Sequence, residues 1–268
     1  MRETVCHGGV AVVDSLHNVD LNGMTAVVTG AASGIGRALA HALADRGANL
    51  VLADIDTVTL SEVSQSLGAQ AVPTDVAMPD AVESLAEAAG DARVVCLNAG
   101  ITGRSFGAPW EVAAPDWNRV FAVNVGGVVN GLRAFVPRLL AANQPAHILI
   151  TGSLAGVLTF PSGGAYGPSK HAVVAVAEHT ALALADTPIG VSMICPALVS
   201  TGMSTDGIDP AEVAAQALAT IDRGIFAAVP PDWQRTLITA ASRRATGQRP
   251  ESPAVATSTT QKQPPAPS

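Results

Sequence analysis

The chain has 268 residues, 48% of them hydrophobic and 14% charged, with a formal net charge of −7, enough apolar material for one large α/β domain buried on several faces. Its 15 lysines and arginines are scattered, which excludes the basic stripe of a nucleic-acid binder. The first 20 residues lack a basic start followed by a long apolar run, and apolar stretches are broken by charge within about 18 residues, so neither a secretory signal nor a membrane span is expected; the nearest candidate, 172–185, contains Glu178 and His179.

Along the chain, apolar runs of strand length alternate with longer helical patterns. Strands are expected at 25–29, 49–54, 69–72, 94–97, 147–151, 190–195 and 225–229, and helices at 35–46, 60–67, 81–89, 115–142, 165–185 and 210–221. The runs VLAD, VVCL, ILIT and VSMIC are apolar at successive positions, as in strands covered on both faces. The alternation predicts a doubly wound, Rossmann-type α/β fold: a parallel sheet of about seven strands with helices on both faces. Residues 1–20 read as a loosely held N-terminal extension, 21–246 as a single domain, and 247–268, rich in Pro, Ser, Thr and Gln, as a disordered tail. The three cysteines, Cys6, Cys96 and Cys195, have no metal-ligand spacing. Cys96 and Cys195 lie in strand-like runs and read as buried free thiols of a reducing, cytoplasmic compartment, with no metal site.

The first strand runs through Gly30 into AASGIG and a helix, placing Gly30, Gly34 and Gly36 in a G-x-x-x-G-x-G turn. This differs from the common G-x-G-x-x-G spacing, but glycines there equally let the backbone approach a pyrophosphate at a helix N-terminus. The second strand ends at Asp54, 24 residues after Gly30. A carboxylate there would accept hydrogen bonds from adenosine ribose hydroxyls and repel a 2′-phosphate, favouring NAD over NADP. Alternatively Asp54 or Asp56 caps the helix that begins near Thr57, Asp56 being the better cap.

Tyr166 and Lys170 stand four residues apart, on one face of an expected helix whose start accommodates Pro168. Tyr166 is the sole tyrosine of the sequence, and Lys170 one of two lysines, the other being Lys262. A phenol with a pKa of about 10 is a poor base at neutral pH. A nearby cation would stabilise the phenolate and make the pair a proton carrier for an alcohol oxygen. Taken alone, the pair also fits an amphipathic tyrosine and a solvated lysine on a helix surface.

The pattern extends, and with it the chain resembles the short-chain dehydrogenases/reductases over 21–229. The family's glycine motif is matched by Thr29-Gly30 through Ser33, Gly34, Ile35 and Gly36; its adenine contact by Asp75-Val76; its N-A-G turn by Asn98-Ala99-Gly100; its helix asparagine by Asn124; its serine by Ser153, 13 residues before Tyr166; and its nicotinamide-side loop by PALVST, with Pro196, Val199 and Thr201. The resemblance implies that Tyr166 is the general acid/base and that Lys170 bonds the nicotinamide ribose and lowers the tyrosine pKa. It also implies that Ser153 orients the substrate oxygen, that Asn124 fixes a relay water, and that Val199 and Thr201 orient the carboxamide. Singly each has a plainer role: Ser153 a turn residue, Asn124 a backbone-bonded helix residue, Asn98 a strand anchor, Thr201 a cap. Leu97 stands where the family often has a second asparagine, and Pro196-Ala197 where it has Pro-Gly; the second departure bears on backbone freedom beside the nicotinamide.

Leu154, Ala155, Leu158, Phe160, Ile101, Leu198 and Met203 are the expected substrate lining, with Arg104 the only charged candidate and itself a plausible solvated loop residue. The 202–209 segment is short enough that any lid would be small. The expected substrate is a small, hydrophobic secondary alcohol or ketone. Ala172, Val173, Val176, Ala177 and Ala181 are candidates for a homo-oligomer interface, dimer or tetramer, against plain core packing. A non-catalytic nucleotide-binding module would be favoured by a missing catalytic residue, and none is missing. An epimerase or dehydratase would usually carry a further substrate domain.

Overall fold

The computed structural model describes residues 21–200 and 207–253; the expected N-terminal extension, Thr201, Met203 and the tail from 254 onward lie outside the described residues. Strands β1 (Thr25–Thr29), β2 (Asn49–Asp54), β3 (Gln70–Pro73), β4 (Val94–Leu97), β5 (Ala146–Thr151), β6 (Ile189–Ile194) and β7 (Ala227–Ala228) form one sheet in the order β3-β2-β1-β4-β5-β6-β7. All pairs are parallel. The order reverses beside β1, where Ala26, Val27 and Val28 pair with Asn49-side β2 on one flank and with Val94, Val95 and Cys96 on the other. A crevice at the carboxyl ends of the strands follows from that reversal.

The helices are α1 (Gly34–Ala44), α2 (Thr57–Leu67), α3 (Pro79–Ala89), α4 (Ala114–Phe121), α5 (Gly127–Ala142), α6 (Leu154–Val157), α7 (Tyr166–Ala183), α8 (Pro210–Asp222) and α9 (Pro231–Ala245). Their ends follow local chemistry. Asp56 caps α2 by accepting from Thr59 N at 3.1 Å, and Gly68 ends it with φ +62°. Proline opens α3, α8 and α9, where a missing N–H costs little.

Successive strand residues enter opposite cores. Val27, Val95, Leu97, Ile148 and Ile150 pack with Phe135 of α5 and Val173 and Ala177 of α7; Val28, Cys96, Leu52 and Leu149 pack with Leu39 and Leu43 of α1 and Val213 and Ala217 of α8. Both faces are dry, which is why these runs are apolar without alternation. Truncating a fully buried Ile148 or Leu39 to alanine should cost about 2–5 kcal/mol.

Three features depart from the sequence reading. The expected helix 115–142 is continuous from Ala114 to Ala142 but widens into one π-helical turn at Ala122–Gly126, and among the described residues this stretch, rather than 172–185, is the one long and apolar enough to cross a membrane by length and composition. Val173 and Ala177 are fully buried core, so of the expected interface residues only Ala172, Val176 and Ala181 keep partial exposure. Helix α9 is not among the expected elements: its apolar face is narrow and none of its residues is buried. From its last turn Arg243 pairs with Glu251 at 2.7 Å and donates to the Arg249 carbonyl, tying the first residues of the expected tail to α9.

Candidate active site

A cleft of about 820 Å³ runs along the carboxyl ends of the strands, within the range of small-molecule and cofactor sites. Gly30, Ser33, Gly34, Ile35, Asp54, Asp75, Val76, Asn98, Ala99, Gly100, Ser153, Tyr166, Lys170, Pro196 and Val199 all line it.

At one end β1 passes through Gly30 (φ +68°) into α1. A Cβ on Gly36 would lie 1.9 Å from the Gly30 carbonyl oxygen and 2.6 Å from Asn98 Nδ2, so only glycine lets the first turn of α1 press against this loop. Ser33 precedes α1 in an extended conformation and makes no side-chain capping bond, leaving the first-turn amides without a side-chain acceptor. That is the donor set a pyrophosphate requires. Asp54 closes the other wall. Its Oδ2 accepts from Ala32 N at 2.9 Å and its Oδ1 from Asp56 N at 3.0 Å, so the carboxylate is clipped between the glycine loop and the end of β2. Capping of α2 falls to Asp56, leaving Asp54 on the cleft.

Asp75 Oδ1 accepts from Ala77 N at 3.0 Å, and the Val76 carbonyl accepts from Asn130 Nδ2 at 2.9 Å. Asn130 escaped the sequence reading because its partner is 54 residues away. Asn98 joins three strands: Nδ2 donates to Thr29 O at 3.0 Å, its amide donates to Thr29 Oγ1 at 2.9 Å, and Oδ1 accepts from Thr151 Oγ1 at 3.0 Å. It is thus a strand anchor as well as a cleft residue. Leu97 is buried on α5, with its Cδ2 2.4 Å from where a Cβ on Gly131 would stand. Ala197 keeps φ out of the left-handed region, Asn143 being the one described non-glycine residue there, so alanine after Pro196 is unstrained.

Farther along, Ser153 follows β5 and its Oγ accepts from Ala155 N at 3.1 Å, opening α6. Tyr166, at the first position of α7, lines the cleft together with Ser153. Lys170 is buried one turn on; its Nζ donates to Thr151 O at 2.9 Å and lies 5.8 Å from the Tyr166 ring centroid. Asn124, in the π turn, accepts from Ile101 N at 2.8 Å and donates to Ile101 O and Ser169 Oγ, both at 2.9 Å. A Cβ on Gly100 would stand 3.2 Å from Asn124 Oδ1 and 3.4 Å from Lys170 Nζ, so those two groups converge on one point. π turns recur at functional sites, and here the extra residue aims Asn124 inward.

The electrostatics differ from the expected cation-lowered phenol. Desolvation holds Tyr166 above its ordinary range, opposed by the nearby Ser153 side chain. Lys170 Nζ donates to the Thr151 carbonyl, and burial pushes its own pKa down to about 8. Beneath them Cys195 is fully buried and its thiol is pushed up to about 11. Burial likewise pushes the Cys96 thiol to about 12. Both described cysteines are free and buried.

On the substrate side Ile101, Leu154, Ala155, Phe160 and Leu198 line the cleft, whereas Leu158 is 1% exposed and turned into the core. Arg104 does not line it; its amide donates to both carboxylate oxygens of Asp116. The charged wall residue is instead Arg119 of α4. Trp233 of α9 also lines the cleft, edge-on to Phe160 with centroids 6.1 Å apart. The signals that could have found α9 are its opening Pro230-Pro231-Asp232 and its closing Arg243-Arg244.

Comparison with known proteins agrees with this architecture. The sequence model of the short chain dehydrogenase family matches residues 24–210. The 1-deoxy-11-beta-hydroxypentalenate dehydrogenase of Streptomyces exfoliatus is 44% identical over 187 residues, 66% of this chain and 68% of that one. The 3beta-hydroxysteroid dehydrogenase 2 of Eggerthella lenta is 32% identical over 211 residues, 74% of this chain and 80% of that one. A short chain dehydrogenase/reductase from Burkholderia phymatum, solved in complex with NAD, superposes with a TM-score of 0.84 at 34% identity, covering 88% of this chain and 99% of that one. On the family match and on the sheet, glycine loop and cleft described above, the chain belongs to the short-chain dehydrogenase/reductase family of NAD(P)-binding Rossmann-fold oxidoreductases.

Proposed function

We propose that the protein moves a hydride between NAD(H), preferred over NADP(H), and a hydrophobic secondary alcohol or ketone, with Asn124, Ser153, Tyr166 and Lys170 as its catalytic set. The observation that carries this reading is that Tyr166, Ser153 and Lys170 line one cleft that begins at the glycine loop, with the buried Lys170 one helical turn from Tyr166 and its Nζ 5.8 Å from that ring's centroid. The glycine loop and the first turn of α1 would hold the pyrophosphate, Asp54, Asp75 and Val76 the adenosine, and Pro196, Val199 and Thr201 the nicotinamide end. Bound there, the nicotinamide supplies or accepts the hydride. Tyr166 gives a proton to the substrate oxygen in reduction and takes it in oxidation, and its raised pKa keeps the phenol protonated at neutral pH, as the reductive direction needs. The Ser153 hydroxyl orients that oxygen and stabilises charge developing on it. Lys170 and Asn124, converging beside Gly100, would pass the proton onward through water.

The Asp54 carboxylate on the cleft wall supports NAD, since it would repel a 2′-phosphate. The apolar lining from Ile101, Leu154, Phe160, Leu198 and Trp233 supports a hydrophobic, alicyclic substrate, as do relatives named for a hydroxypentalenate and a hydroxysteroid. Partial exposure of Ala172, Val176 and Ala181 on α7 supports a homo-oligomer, and the buried free thiols support a cytoplasmic setting.

The test is Tyr166→Phe. Turnover should fall by about 10²–10⁴-fold while NAD affinity, measured by calorimetry, stays the same. Retained turnover would remove Tyr166 from the acid/base role.

A further inference from the structure

Helix α9 is an amphipathic element without a core. Its 15 residues include none that is buried. Trp233, Thr236, Leu237 and Ala240 share its inward face at helical spacing, and all four remain only partly covered, while Ile238 on the opposite face is 69% exposed. Trp233 is the residue of α9 that lines the cleft, where its ring stands edge-on to Phe160 of the loop between α6 and α7. Across the same cleft Leu198 is 58% exposed. Three large apolar side chains from three separate segments therefore face one space and are left partly bare, in a protein whose two main cores are dry. A helix held by so little internal burial gains most when something apolar fills the gap beneath it.

We propose that Trp233 is a specificity-determining residue: with Phe160 it forms an aromatic clamp that closes on the carbocyclic body of the substrate, distant from the reacting oxygen. The proposal rests on the alcohol/ketone reading given above and adds to it the part of the site that selects for bulk. Trp233 touches neither Tyr166 nor the glycine loop by any hydrogen bond or ring contact, so the clamp should act on binding, and far more on large substrates than on small ones.

The probes are 1-decalone, a bicyclic ketone, and acetone. For Trp233→Ala, kcat/KM for NADH-dependent reduction of 1-decalone should fall, mainly through KM, by a factor about tenfold or more larger than the fall for acetone. Equal losses on both ketones, or no loss on either, overturn the clamp. A second measurement is independent of turnover. Replacing Trp110 and Trp117 by phenylalanine leaves Trp233 as the sole tryptophan of the sequence. Its emission should shift to the blue on titration with 1-decalone and not with acetone at equal concentration. An unchanged spectrum overturns the clamp whether or not the ketone is reduced. A blue shift in a protein that reduces neither ketone supports the clamp and sinks the proposed reaction instead.

Discussion

The two ends of the cleft are built in opposite ways. At the cofactor end the walls are backbone, and the polar side chains are committed to that backbone: Asp54 to Ala32 and Asp56, Asp75 to Ala77, Asn98 to Thr29. At the substrate end the walls are side chains from loops and from α9, with Leu198 and Trp233 partly bare and few polar groups among them. The difference teaches how one scaffold serves a fixed ligand and a variable one. Backbone amides and carboxylates tied into strand ends hold a constant shape, whereas apolar side chains on elements with little burial can change without disturbing the sheet.

The sharpest way to break this contrast is to put a side chain into the backbone-built end. Gly36→Ala would place a methyl group 1.9 Å from the Gly30 carbonyl oxygen, so the loop must shift. Strain of about 1–3 kcal/mol is expected, together with loss of NAD binding that titration calorimetry would detect. A Gly36→Ala protein that bound NAD normally would show that the loop is as adaptable as the substrate wall. Next in size is Asp54→Ala. Removing the carboxylate should weaken NAD by about 1.5–3 kcal/mol, the worth of hydrogen bonds to a charged group, and narrow the gap to NADP. Binding of both dinucleotides, measured side by side, decides it; a native preference for NADPH would invert the argument from repulsion.

The smallest expected effect concerns Lys170, which sits where the two ends meet. Its folded pKa of about 8 lies below the ordinary 10.5. The unfolded chain therefore binds more protons between pH 8 and 10.5, and the contribution of Lys170 to stability rises with pH across that window. The Tm of the wild type minus that of Lys170→Met should grow from pH 8 to pH 10, by about 2–4 °C for each 1 kcal/mol of relieved penalty. Above pH 10 the raised Tyr166 acts the other way, since the unfolded phenol ionises first and stability falls. A Tm difference that stayed flat would mean that Lys170 is better solvated than its burial implies. With these, the Trp233 measurements complete the contrast from the substrate side.

The sequence by itself determined what depends on near neighbours. Runs such as VLAD, VVCL and ILIT must be strands covered on both sides, and β2, β4 and β5 lie where those runs lie. The glycines between β1 and α1, the carboxylate closing β2, and Tyr166 and Lys170 on one helical turn are likewise legible, because each is set by spacing along a single element. Only the tertiary structure decided what depends on distant ones. It sends Lys170 Nζ to the Thr151 carbonyl, 19 residues back, and takes Tyr166 partly out of water, and that desolvation raises the phenol where spacing alone implied it would be lowered. It turns Leu158 away from the cleft and brings in Trp233, 73 positions from its ring partner Phe160. Local pattern fixes which face of an element is apolar; the charge state of a group and the company it keeps depend on how much water the whole fold removes around it, and no window of sequence contains that quantity.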